Sequence, residues 1–236
     1  VQTTAAEWCY YTIPQSKEGT TLFLNVYLIG INGVSASNAA SNRNLNQVLE
    51  NVTTIYRKMG IRAEVANYID GEKSVNERYS TIRDFNDVYN LVSTSTAPGT
   101  SKEDVLSVNV FLINDFNISE AQGLLGVSTG IPGMAGLHGS SGSGLVFSAA
   151  SLGSDNRQLG QTMAHEIGHY LGLRHTTEHS FLGHDPISDT PECLNPNLAT
   201  LCDDSSNFMF AFALGGKQQD VSNGQKYVVR RNPLVQ

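Results

Sequence analysis

His165-Glu166-Ile167-Gly168-His169-Tyr170-Leu171-Gly172-Leu173-Arg174-His175 is the run that decides how this 236-residue chain is read. Side chains four apart on a helix lie one above the other. His165 and His169 therefore direct two imidazoles at one point, with Glu166 beside them. Gly172 allows a sharp turn or a left-handed backbone, after which His175 returns as a third nitrogen donor. Three imidazoles and a position left for water make a catalytic zinc site with bonds of about 2.0 to 2.1 Å. The lowered pKa of such a water supplies a nucleophile near neutrality. A single histidine would be read as an ordinary packed or surface residue; the spacing of all three, with Gly172 between, points to the metal.

Working outward, the helix extends over residues 156 to 173, with Leu159, Met163, Ile167, Tyr170 and Leu171 on its packing side. Thr21 to Ile29 alternates and is rich in branched and aromatic residues, which predicts a strand. Ala39 to Met59 places Leu45, Val48, Leu49, Val52, Ile55, Tyr56 and Met59 at three-and-four spacing, a helix of about five turns ending at Gly60. Ile61 to Tyr68 is a second strand, so strand, helix and strand imply a right-handed crossover and a parallel pair. Ile82, Phe85, Val88, Tyr89 and Val92 indicate a further helix before Ala97-Pro98-Gly99, and Val105 to Ile113 is the clearest buried strand. Short strands flank a Ser-Gly insertion between Gly123 and Phe147, read as a loop within one domain. Residues 174 to 220 are loop-rich, and Ser222 is the N-cap of a last helix stopped by Asn232-Pro233. The fold class is α/β (α+β): a twisted mixed sheet with backing and active-site helices and an irregular C-terminal subdomain. Residues 1–236 form one catalytic domain, divided near Gly172 into subdomains 1–172 and 173–236.

Composition sets outer limits. Fifteen Lys and Arg against 22 Asp and Glu give a formal charge of -7, which disfavours phosphate backbones and anionic bilayers as partners. Charged residues are 16% of the chain, below the usual quarter or so, a surface suited to an exported protein. No apolar run approaches the roughly 18 residues of a membrane span. The chain begins at Val1 with no basic and apolar leader, so a targeting or pro-segment is expected to have been removed. Three cysteines cannot all pair within one chain. Cys193 and Cys202, in a loop-like stretch containing Pro191 and Pro196, suit a local disulfide worth about 2 to 3 kcal/mol. Cys9 is then either a semi-buried thiol or the partner of a removed pro-segment or another chain.

The eleven-residue signature resembles the metzincin clan of zinc endopeptidases. That resemblance implies zinc on His165, His169 and His175, Glu166 as general base and acid, and a methionine turn beneath the metal. Ser206-Asn207-Phe208-Met209-Phe210 looks like that turn, with Met209 under the site. Asp185-Pro186-Ile187-Ser188-Asp189-Thr190-Pro191, then Cys193 and Asn207-Phe208-Met209, are most similar to the pappalysin-like group. Several metzincins carry a tyrosine two residues after the methionine; here Ala211 stands there. Either Tyr170 or another tyrosine contributes in its place, or zinc and Glu166 act with less side-chain help, and the second is favoured. The resemblance also implies an edge strand that binds extended peptide, matched here by Gly126-Val127-Ser128-Thr129. Calcium is a further implied cofactor, on Asp185, Asp189 and Thr190 with help from Glu192 or from Asp203 and Asp204; ordinary solvated acids are the equal alternative.

His138, His179 and His184 stand apart from the signature; His184, beside Asp185, is read as a surface or loop-packing residue, with a second metal there the lesser alternative. Asn51 and Asn117 begin glycosylation sequons that are no evidence of glycans by themselves. The sequence thus describes a secreted, monomeric zinc endopeptidase acting on protein or peptide chains, with neither nucleic acid nor membrane as partner. Its competitors are an inactive metzincin-like binding domain, disfavoured by the intact Glu166, a structural-zinc domain, which lacks an evident fourth ligand, and a zinc amidase for small nonpeptide substrates.

Overall fold

The computed structural model describes residues 18–96, 106–134, 137, 139–193 and 201–236; Cys9, His138 and Val105 lie outside them. At its centre is β1 (Thr21–Ile29), buried along almost its whole length. Leu22, Leu24, Val26 and Leu28 join one apolar cluster, and Tyr27 and Ile29 join another on the opposite face. A strand covered on both sides must be apolar at nearly every position, so the segment is more continuously apolar than a half-exposed strand. Its buried Asn25 is matched inside the sheet: it donates to Ser107 Oγ at 2.7 Å and accepts from Asn67 Nδ2 at 2.9 Å.

The crossover expected after β1 is present. Helix α1 (Arg43–Lys58) leads to β2 (Arg62–Asp70), which pairs parallel with β1. The run from Ala39 is not one helix, however. Ala39–Ser41 form a separate 3-10 turn, and Asn42 takes an extended conformation to accept a hydrogen bond from Leu45 N at 3.0 Å, so α1 begins only at Arg43. The helix expected before Pro98 is α3 (Phe85–Ser95), but Ile82 falls outside it in β3 (Thr81–Ile82), and a further short helix, α2 (Lys73–Tyr79), precedes both. Asp84 caps α3 by accepting from Asp87 N at 2.9 Å. Strand β4 (Ser107–Ile113) pairs parallel with β1, and β5 (Asp115–Phe116) pairs with β3 in a small separate sheet.

The main sheet ends in β6 (Gly126–Ser128) and β7 (Leu145–Ser148). Its order is β2-β1-β4-β7-β6, with β6 at the edge and antiparallel to β7. This is a mixed α/β fold with a five-stranded sheet. Helix α4 (Asn156–Tyr170) lies beside α1 on one face, where Leu159, Met163 and Ile167 meet Val48, Val52 and Ile55 in a shared core. Tyr56 Oη, deep in that core, donates to Ala164 O at 3.2 Å. Val88, Leu91 and Val92 of α3 cover the other face.

Helix α4 stops at Tyr170, three residues before the expected Leu173. Gly172 at φ 105° turns the chain, Gly172 N donates to His169 O and Leu173 N to Gly168 O, both at 2.9 Å. This is a Schellman end, which satisfies the last carbonyls and redirects the chain beneath α4. The remaining chain is mostly irregular until α5 (Asn223–Arg230), which begins with the expected Ser222 cap and has Gln225 closing a capping box. Gln236 N then donates to Thr21 O at 2.8 Å, fastening the end of the chain beside β1. Among the described residues no helix is long and apolar enough to cross a membrane.

Candidate active site

Two histidines leave α4 one turn apart, and the Schellman turn returns the third. His169 Nε2 and His175 Nε2 are 3.1 Å apart, and His175 Nε2 and His165 Nε2 are 3.2 Å apart. Each Nδ1 is held from behind at 2.8 Å: His165 by the Phe208 carbonyl, His169 by the Leu173 carbonyl and His175 by Glu178 Oε2. Carbonyl and carboxylate oxygens only accept, so the neutral rings carry their protons on Nδ1. Their Nε2 lone pairs therefore converge on one point, an arrangement that repels unless a cation sits there. Ligands at about 2.05 Å in a tetrahedron would be roughly 3.3 Å apart, close to what these nitrogens show. The donor set fits zinc.

Electrostatics agree. Burial and the neighbouring imidazoles hold His165 well below the ordinary histidine value, and burial first, then His175, brings His169 down to about 4. Both remain neutral and free to ligate at neutral pH. Glu166 moves the opposite way: burial raises its carboxyl to about 7, opposed by the Ser128 N–H, which donates to Oε2 at 2.9 Å. That bond ties the residue following His165 to the edge strand β6.

Met209 is fully buried. A Cβ on Gly168 would come within 2.5 Å of Met209 Sδ, so the glycine is what lets the thioether pack against the ligand-bearing turn of α4. The adjacent Phe208 supplies the carbonyl that orients His165, and Met209 O accepts from Thr176 N at 3.2 Å. Thr176 Oγ1 also donates to Asp204 Oδ2 at 2.7 Å, and Thr177 Oγ1 accepts from Cys193 N at 3.0 Å. Both residues after His175 are thus pinned. Cys193 and Cys202 form the expected disulfide, with their Cα atoms 4.9 Å apart.

The three histidines and Glu166 line a cleft of about 520 Å³ that has β6 on one side and Phe210, Ala211 and Phe212 on another. Gly126, Val127 and Ser128 lie in the edge strand, whereas Thr129 lies just beyond it and bonds through Oγ1 to Gly144 O at 2.7 Å. Tyr170 is turned away from the cleft chemistry: it is buried, and its hydroxyl faces the carbonyls of Met134 and Gly142 at 3.3 and 3.2 Å. It anchors the insertion instead.

Other expected residues are placed apart from the histidines. Asp185 Oδ1 accepts from Thr190 Oγ1 at 2.6 Å, while Asp189 accepts from Gly224 N in the first turn of α5 at 2.9 Å. His184 Nδ1 lies 3.3 Å from Thr177 Oγ1, and His184 belongs to no metal-holding group among the described residues. Asn51 packs where α1 approaches Gly160, while Asn117 is exposed. Sequence reasoning missed Glu178, the two orienting carbonyls and the Ser128 N–H. Glu178 had a signal, an acid three residues past the third ligand; backbone groups leave none.

A mixed sheet whose edge strand flanks a three-histidine cluster and an adjacent glutamate is the fold and metal-binding arrangement of the metzincin clan of metallopeptidases. The chain belongs to metallo-peptidase family M12, whose reprolysin model matches residues 31–222. No curated protein sequence matches it. Among solved structures it resembles archaemetzincin from Methanopyrus kandleri at 12% identity and a TM-score of 0.53, covering 92% of this chain and 98% of that one. It also resembles metalloproteinase-II from Bacteroides fragilis at 12% identity and a TM-score of 0.50, covering 96% of this chain but only 58% of the other. At this identity the likeness is one of fold.

Proposed function

We propose that this chain is a secreted zinc endopeptidase that cleaves protein or peptide substrates as a monomer. The observation that carries the reading is the convergence of the Nε2 atoms of His165, His169 and His175 beside the partly buried Glu166 carboxylate. Zinc held by His165, His169 and His175 would supply Lewis acidity at a peptide carbonyl and lower the pKa of water there. Glu166 takes the proton from the attacking water and returns it to the departing amine. Ser128 N–H orients the carboxylate for this transfer. An extended substrate adds as a strand along Gly126 to Thr129, since among the described residues the outer side of β6 has no neighbouring strand. Tyr170 is committed to packing and Ala211 has no side-chain donor, so neither assists at the carbonyl oxygen.

Metal analysis should find one zinc per chain, and Glu166→Gln should keep that zinc while losing roughly a hundred- to ten-thousand-fold of peptide hydrolysis. Near-parental hydrolysis by the purified variant would overturn the mechanism, and zinc without hydrolysis in the parent would favour the inactive binding domain.

The pappalysin-like kinship rests on residues 185–193 and 207–209. The division into subdomains 1–172 and 173–236 rests on the turn at Gly172. The disulfide supports an oxidising, extracellular setting. Calcium is proposed for the Asp185 and Asp204 region, because Asp185 Oδ2 and Asp204 Oδ1 are buried with no hydrogen-bond partner among the described residues. Asp189 is occupied at α5, so the ligands are better sought in Asp185, Thr190 and Asp204. Calcium titrated into zinc-loaded protein should raise its thermal midpoint; no heat of binding at millimolar calcium would remove this part of the reading.

A further inference from the structure

The three histidines are not oriented alike. His165 and His169 rest on backbone carbonyls, which every sequence provides, but His175 rests on a side chain, Glu178, with Oε2 at 2.8 Å from Nδ1. His175 is also the ligand that does not belong to α4, so no helix holds its ring. The carboxylate is built into place. Glu178 N donates to Gly183 O at 2.9 Å, Phe181 N donates to Glu178 O at 2.8 Å, and Thr177 and His184 close the turn as a bridged pair. That turn keeps Phe181 at φ 57°, a strained conformation for a bulky residue, and its ring is stacked on Phe212 with centroids 5.3 Å apart. At the base of the turn, Thr177 is fixed by the backbone of Cys193.

A carboxylate behind a ligating imidazole does two things. It fixes the ring and tautomer, and it increases the electron density that the other nitrogen offers the metal. We propose that Glu178 is a positioning residue that holds His175 through its Nδ1–H and thereby sets how tightly the three-histidine cluster binds zinc. This rests on the zinc reading above. The disulfide-backed turn from Thr177 to His184 then serves the metal as much as the wall of the cleft.

The test measures zinc affinity of the full chain by competition with a chromogenic chelator, for the parent, Glu178→Ala and Glu178→Gln, together with the thermal midpoint of each zinc-free protein. Glu178→Ala should weaken zinc about 10- to 100-fold. Glu178→Gln, whose amide oxygen can still accept from Nδ1–H, should recover part of that loss. The zinc-free midpoints should stay together, since Glu178 is half-exposed. Zinc affinities of both variants within twofold of the parent would overturn the proposal, as would a fall in zinc-free stability that accounts for the whole effect. A second equivalent of zinc, bound by the parent and lost in both variants, would also overturn it, because Glu178 would then be a ligand with His179, which lies in the same group. A parent that binds no zinc would refute the proposed function itself, whereas a zinc-loaded parent with unaffected variants would refute only the role of Glu178.

Discussion

Glu166 is placed where two protonation states are both useful. In the metal-free chain burial lifts its carboxyl to about 7, and a cation on the neighbouring histidines would draw it back down, toward the ionised form that accepts a proton from water. The upward shift costs stability in a definite pH range. A carboxyl whose folded value lies above its unfolded one takes up a proton on folding. Its contribution is therefore full below the unfolded value of 4.5 and is lost as pH rises through about 7. His169, brought down to about 4, has the opposite sign: its contribution is present above 6.5 and lost as pH falls toward 4. Comparing zinc-free Glu166→Gln with the zinc-free parent cancels the histidine and isolates the carboxyl. The variant's advantage in thermal midpoint should widen between about pH 5 and pH 8. A constant difference across that range would mean that the carboxylate is better solvated than its place in the cleft implies.

Among the elements, the contact of α1 with α4 decides where the ligands stand. A Cβ on Gly160 would lie 2.6 Å from Val48 O and 2.7 Å from Asn51 Cβ, so the two backbones approach as closely as a glycine permits. In an isolated helix Gly160→Ala would stabilise by about 1 kcal/mol. Here it should destabilise by about 1 to 3 kcal/mol, because a carbonyl and a backbone-proximal atom must move. Urea unfolding of the zinc-free protein reads the sign directly, and a gain in stability would show that the helices separate without cost. The buried face of α1 was legible from spacing alone, since Leu45, Val48, Val52, Ile55 and Tyr56 are the residues buried. The start of α1 and the start of α3 were not. Asn42 and Asp84 override the apolar period by offering the backbone a side-chain acceptor, and many polar residues in this chain could have done the same.

Across the whole molecule the metal would join α4 to the segment that follows it, with the methionine turn held against both. His165 and His169 come from α4, His175 from the chain beyond the Schellman turn, and Phe208 reaches back to orient His165. Zinc bound only by the folded arrangement stabilises it by about 4 kcal/mol at a thousand times its dissociation constant. For a chain of this size that corresponds to a thermal midpoint roughly 8 to 16 °C higher. Chelation should lower the midpoint by that order and added zinc should restore it, as calorimetry would record. Reduction of Cys193–Cys202 should cost about 2 to 3 kcal/mol, because the closed loop is short. A midpoint unmoved by chelation would mean that no metal bridges these segments.

What the amino-acid sequence determined by itself was local and periodic: the one-turn spacing of His165 and His169, the glycine that turns the chain, the parallel crossover and the apolar faces of α1 and α4. Such features follow from helix and strand repeats and from the backbone freedom of one residue, so neighbours along the chain suffice to specify them. Tertiary structure alone decided that Phe208, Leu173 and Glu178 hold the three rings from behind, that Ser128 N–H meets Glu166, and that Tyr170 faces Met134 and Gly142. Those partners are set by how α4, β6 and the segment after Gly172 pack together, and a hydrogen bond to a backbone group leaves no mark on the residue that offers it.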